Sequence, residues 1–179
     1  IPLGGYVDMS SPEGKENDAF SFTARTYYQK LCVMLGGITF NEGEEKVTVE
    51  VGAGVSWDEL VSLVAARDLW GIENLAGIPG TVGGAVVQNI GAYGVELKDT
   101  LLFADLCNLQ TGLLRRVTRE ELRFGYRDSL LKHAPEFVVV GVTLELVRSA
   151  TPNLSYPDLA RMATTETLTT PGEVGSAVR

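Results

Sequence analysis

Few side chains in this sequence stand in arrangements that could do chemistry, and Arg127 comes first among them. It lies in RFGYRDS, residues 123–129, beside Tyr126, Asp128 and Ser129. A guanidinium is planar, permanently charged and able to form paired hydrogen bonds. It can therefore hold negative charge that develops during a reaction. It can equally be a surface cation paired with Asp128 or Glu121, and the residues alone leave both roles open. The second feature is GIENLAGIPGTVGGAVVQNIGAYGVEL, residues 71–97, which carries glycines at 71, 77, 80, 83, 84, 91 and 94. Glycine permits positive φ and close approach of backbone to a ligand, and its N–H groups can line a concave site for an anion or a flat ring. Tight turns in a β-rich domain would use the same residues. Asn74, Pro79, Gln88, Asn89 and Tyr93 punctuate the run, so it is not a repetitive linker. The single histidine, His133, follows Leu-Leu-Lys in a polar loop and reads as a solvated or structural residue. No His/Cys/carboxylate cluster has metal spacing, and no GxSxG elbow occurs. Asp58-Glu59 and Glu120-Glu121 sit where helix starts favour negative charge.

The surrounding elements are readable from periodicity. Lys46–Gly52 alternates, with Val47, Val49 and Val51 on one face, and predicts a half-buried strand. Gly52-Ala53-Gly54 ends it. Ser56 then begins SWDELVSLVAARDL, with Glu59 at the capping-box position and Trp57, Leu60, Val61, Val64 and Ala65 on one helical face. This order hints at a nucleotide fold but is not a dinucleotide fingerprint, because Trp57 stands where GxGxxG needs its third glycine. Thr100–Leu109 and Gly112–Val117 flank Gln110-Thr111 as a hairpin. Thr118 and Glu121 predict the start of a short helix. Phe137–Val147 is the most strand-like run and is expected at the centre of a sheet. Short helices are expected at Pro157–Ala163 and from Pro171. Near the N-terminus, residues 1–19 read as an extended lead-in, and Thr26–Leu35 as a helix stopped by Gly36-Gly37.

Composition narrows the classes. The chain has 179 residues, 45% hydrophobic and 21% charged, which suits one domain or slightly more. A net charge of −8 argues against a nucleic-acid surface, which needs excess Lys and Arg. Cys32 and Cys107 lack a CxxC partner and read as free thiols. No apolar run approaches membrane-spanning length, and the first residues lack the pattern of a signal peptide.

The wording of the glycine-rich stretch, IPGTVGGAVVQNIGAYGVEL, together with RFGYRDSLLKH, resembles the UDP-N-acetylenolpyruvoylglucosamine reductase family, with GAGVSW at 52–57 in the corresponding place. The resemblance covers about residues 42–179. It implies an α+β, vanillyl-alcohol-oxidase-like (PCMH) FAD-binding subdomain of mixed sheet and flanking helices over 42–148, and the truncated start of a substrate domain over 149–179. It implies FAD and NADPH as cofactors and UDP-N-acetylglucosamine enolpyruvate as substrate. The setting is peptidoglycan precursor synthesis in the cytoplasm, by a monomer with no nucleic-acid or membrane partner. It assigns Arg127 to the enolate formed when hydride reaches the enolpyruvyl double bond. It assigns Pro79, Gly80, Gly83, Gly84, Val87, Gly91 and the backbone of Val139 to the flavin, and Tyr93, Tyr126 and Tyr156 to the substrate side. Tyr93 can equally be a packed aromatic. Pro157 stands where the family more often has glycine and restricts Tyr156 to extended backbone.

The resemblance has limits at both ends. The family's pyrophosphate-binding GxGSN-type loop has no counterpart in GGYVDMSS or LGGITFN, and its late serine and glutamate are absent. Weak or no FAD affinity and no full turnover are therefore expected of this chain. Residues 1–41 resemble instead a stretch of bacterial site-2 metalloproteases, without the HExxH helix. A non-catalytic α/β domain, or a chimeric chain carrying that segment, are the competing expectations.

Overall fold

The computed structural model describes residues 36–165 and 167–179. The lead-in at 1–19, the helix expected over 26–35, Cys32 and most of the metalloprotease-like segment lie outside the described residues. Strands β1 (Ile38–Asn41), β2 (Lys46–Gly52), β5 (Leu101–Asn108), β6 (Leu114–Thr118) and β7 (Phe137–Val147) form one five-stranded sheet in the order β1-β2-β7-β5-β6. The small strands β3 (Gly91–Ala92) and β4 (Val95–Glu96) form a hairpin of their own. Sheet and flanking helices give the expected α+β architecture, and every pairing among the described strands is antiparallel.

Period two in β2 does what it must. Val47, Val49 and Val51 are buried while Lys46 and Glu50 are exposed. Their β7 partners Leu146, Leu144 and Val142 continue the same apolar face. β7 is central, as its apolar run predicts. Its register against β5 slips between Asp105, opposite Gly141, and Leu106, opposite Val139, which leaves Val140 as the extra residue of a bulge. The Val140 carbonyl accepts instead from the Ala53 N–H at 3.2 Å.

Helix α1 (Trp57–Ala65) buries Trp57, Leu60, Val61 and Val64, the face that its 3.6-residue period marks out. The Ser56–Glu59 capping box does not form. The helix start is held from outside: Trp57 N–H donates to the Gly80 carbonyl at 3.0 Å, and Ser56 bridges Thr81. The helix expected from Thr118 does not form either. Its capping contacts do, Glu121 accepting from Thr118 N–H at 2.9 Å. Arg123 then takes a positive φ of 48°, which ends any helical path.

The glycine-rich stretch contains a helix that its composition hides, α2 (Val82–Gln88). Tertiary bonds hold it: Val82 N–H to Val55 O and Gly83 N–H to Ala53 O, both 2.9 Å, and Gly84 N–H to Thr81 Oγ1 at 3.3 Å. A Cβ on Gly83 would stand 2.9 Å from Ala53 Cβ, so glycine there permits close approach of α2 to the end of β2. α2 lies against β7.

Residues 149–179 fold back on this body. They form α3 (Pro157–Met162) and α4 (Pro171–Ala177), the latter opened by a Thr170–Glu173 capping box. Val174 and Leu168 bury against Trp70. The Arg179 guanidinium reaches Asp58 at 2.9 Å and Ser62 at 2.7 Å.

Candidate functional site

Several of the residues singled out above lie at the two ends of α2. At its amino end Pro79, Gly80, Thr81 and Gly84 are exposed. Gly80 has φ +120°, and nothing lies within 4 Å of the position a Cβ would occupy. Its N–H and that of Thr81 meet no acceptor among the described residues. The other glycines assigned to the flavin differ. Gly83 is buried against Ala53, and a Cβ on buried Gly91 would meet the Val95 carbonyl at 3.0 Å. These two are explained by packing. Val87 is half-buried on α2, and Val139 is buried on β7 beside the bulge.

At the carboxyl end, the Arg127 turn hangs from α2. Gly125 and Asp128 exchange backbone bonds, 2.9 Å from Gly125 N–H and 3.3 Å from Asp128 N–H, so Tyr126 and Arg127 form the tip of a four-residue turn. Tyr126 is 85% exposed. Arg127 is exposed and has φ +52°, a value at this turn position that normally belongs to glycine. The two surface pairings open to Arg127 in the sequence are both taken by others. Asp128 faces His133 Nε2 at 3.1 Å, and Glu121 pairs with Arg115 at 2.5 Å. The His133 contact holds the Asp128 carboxyl below the usual carboxylate range.

Sequence reasoning gave no role to the residues that fix this turn. Buried Ser129 donates to the Val87 carbonyl at 2.7 Å. Buried Asn89 ends α2 with φ +42° and donates to Glu96 Oε2 and to the Gly125 carbonyl, each at 2.9 Å. Glu96 also pairs with Lys98. The Lys98 ammonium first, then the Asn89 amide and the Lys98 and Arg127 charges, hold the Glu96 carboxyl below its ordinary range. The signal was present for Asn89: asparagine is the non-glycine residue that most readily takes a left-handed cap.

Tyr93 and Tyr156 meet edge to face, ring centroids 5.2 Å apart. Tyr156 is extended (φ −72°, ψ 131°), as Pro157 requires. Asn74 joins their segments, donating to Tyr93 O at 3.3 Å and Asn153 O at 2.9 Å, while its own buried Oδ1 has no partner among the described residues. Tyr93 is thus both a packed aromatic and a neighbour of Tyr156, another tyrosine assigned to the substrate.

Among the described residues, an open glycine edge with unpaired N–H groups suits a flat ring and a phosphate, and an exposed arginine with no ion-pair partner suits an anion. The fold and the site thus define a flavin-binding class of domain, and the chain belongs to the FAD binding domain family, which matches residues 24–118, just over half of its length. That match begins inside the segment set apart above as 1–41. The chain is 46% identical over 128 residues to UDP-N-acetylenolpyruvoylglucosamine reductase of Yersinia pestis, covering 70% of this chain and 37% of that protein. It is 43% identical over 144 residues to the same enzyme of Escherichia coli K12, covering 79% and 42%. The crystal structure of UDP-N-acetylenolpyruvylglucosamine reductase (MurB) from Thermus caldophilus matches with a TM-score of 0.52 at 33% identity, over 67% of this chain and 44% of that one. The chain therefore spans less than half the length of these relatives.

Proposed function

We propose that this chain is the FAD-holding portion of a reductase that converts UDP-N-acetylglucosamine enolpyruvate to UDP-N-acetylmuramate with NADPH in peptidoglycan precursor synthesis. One observation carries the proposal: a single short helix joins an open glycine edge at one end to a turn presenting a guanidinium that has no ion-pair partner among the described residues at the other. Bound FAD would supply hydride transfer, oxidising NADPH and reducing the enolpyruvyl double bond, which also takes up one proton. Gly80, Thr81 and Gly84 would offer backbone to the flavin from α2, and Pro79, Val87 and Val139 would shape its surroundings. Gly83 and Gly91 would serve it by letting the chain pack closely beneath. Arg127 would hold the substrate carboxylate and the negative charge that develops beside it, an electrostatic task that a preorganised cation performs well. Tyr93, Tyr126 and Tyr156 would line the approach of the UDP-sugar.

In this proposal residues 42–148 are the FAD-binding subdomain and 149–179 begin the substrate region, behind an atypical 1–41 segment, in a cytoplasmic monomer. Among the described residues no helix is long and apolar enough to cross a membrane. The relatives favour this function over a non-catalytic or chimeric chain. The test is a visible absorbance and flavin-fluorescence titration of the purified chain with FAD. Weak but saturable binding is expected. Flavin spectra unchanged by the protein would overturn the proposal.

A further inference from the structure

We propose that Asn89 is a positioning residue for Arg127: its side chain, set by the left-handed end of α2, clamps the turn that presents the guanidinium. What Arg127 does rests on the reductase proposal, but how Arg127 is held does not. A helix end in the left-handed conformation needs only a residue that tolerates positive φ, and glycine serves best. Asn89 does more than tolerate it. It is fully buried, and its carboxamide uses both donor hydrogens and the acceptor on groups outside the helix: Glu96 Oε2, the Gly125 carbonyl, and the Lys98 N–H at 3.1 Å. A cap alone would require none of these.

Two of the three bonds bear on Arg127. Gly125 is the first residue of its turn, so the bond from Asn89 pins one stem. The bond from Ser129 to the Val87 carbonyl pins the other stem, two residues away on the same helix end. Between these anchors Arg127 is held at a φ that an unsupported arginine would leave. Asn89 also occupies Glu96, whose charge lies within electrostatic reach of Arg127. With its carboxylate engaged by Asn89 and Lys98, the guanidinium stays free for an incoming anion.

Asn89→Gly separates cap from clamp, because it keeps the favoured backbone and removes only the side chain. Asn89→Asp is the second variant. It keeps the shape and the acceptor for Lys98 and loses both donors, and it is made together with Glu96→Gln so that no second carboxylate faces it, so the test survives if the glycine variant does not fold. The readouts, on the full chain without cofactor, are amide hydrogen exchange at Gly125 and Asp128 and the NMR signal of the Arg127 side-chain Nε–H. The proposal expects either variant to keep protection in β7 while exchange at Gly125 and Asp128 quickens about tenfold, the loss expected for one buried hydrogen bond. The Arg127 signal should move toward that of a free arginine. Unchanged exchange and an unchanged Arg127 signal would overturn the clamp and leave Asn89 a helix cap only. A chain that fails to bind FAD would sink the reductase proposal and leave these exchange rates as they are.

Discussion

At the amino end of α2 the chain exposes backbone: Gly80 has open space where a side chain would be, a side chain on Gly84 would meet only Thr81 Oγ1, and Thr81 is exposed. At the carboxyl end it buries polar side chains, Asn89 and Ser129, and spends their hydrogen bonds on a neighbouring turn. The first end keeps groups available and the second consumes them to fix one exposed guanidinium. A cofactor with a large flat face needs access along a length of backbone, whereas a charge that must meet one small group needs a fixed point. The helix between the ends is seven residues long, about 10 Å at 1.5 Å per residue. It sets the spacing between the two.

Substitutions at the two ends should therefore separate stability from binding. The largest expected effect on stability is Gly83→Ala, because the new methyl meets Ala53 Cβ at 2.9 Å and Ala53 O at 3.2 Å. Overpacking of this kind costs about 1–3 kcal/mol, read from denaturant unfolding. Ser129→Ala follows. It leaves the carbonyl of half-buried Val87 without this bond and should cost about 1–2 kcal/mol, with faster amide exchange through 125–130. Gly84→Ala, one residue from the most sensitive site, should do the opposite. Its Cβ meets only Thr81 Oγ1 at 3.5 Å, and the helix should gain up to about 1 kcal/mol. FAD binding should nonetheless weaken, and equal stabilisation with unchanged FAD affinity would break the contrast. The smallest effect is one of pH. The Glu96 carboxyl is held below its ordinary range by Lys98 and Asn89. Its stabilising contribution is present above the unfolded glutamate value of about 4.3 and is lost as pH falls through the lower folded value. The stability gap between the wild type and Glu96→Gln should close over that acid range, and a gap that stays constant would count against it.

The framework of this fold was legible where period and burial agree. Val47, Val49 and Val51 announced β2, the run Phe137–Val147 announced the central strand, and Trp57, Leu60, Val61 and Val64 announced α1. α2 was not legible as a helix, because Gly83 and Gly84 depress local propensity and the bonds that hold its start come from Ala53 and Val55, some thirty residues away. The Ser56 cap was read from a local pattern that contacts with Gly80 and Thr81 replaced, while the Thr118 capping contacts form but lead into no helix, because Arg123 turns the chain at positive φ. Of the candidate site, Arg127 was singled out by its motif. Its anchors were not, since Asn89 and Ser129 look like ordinary turn residues until the fold brings Gly125 and Val87 to them.

The most direct test of the central claim is a residue-by-residue map of amide NMR shifts in the full chain, titrated first with FAD and then with UDP-N-acetylglucosamine enolpyruvate. The account predicts that FAD moves Gly80, Thr81 and Gly84, and that the enolpyruvyl compound moves Tyr126, Arg127 and Asp128 at the other end of α2. Shifts confined to the outer strands β1 and β6, or both ligands perturbing only one end of the helix, would contradict it.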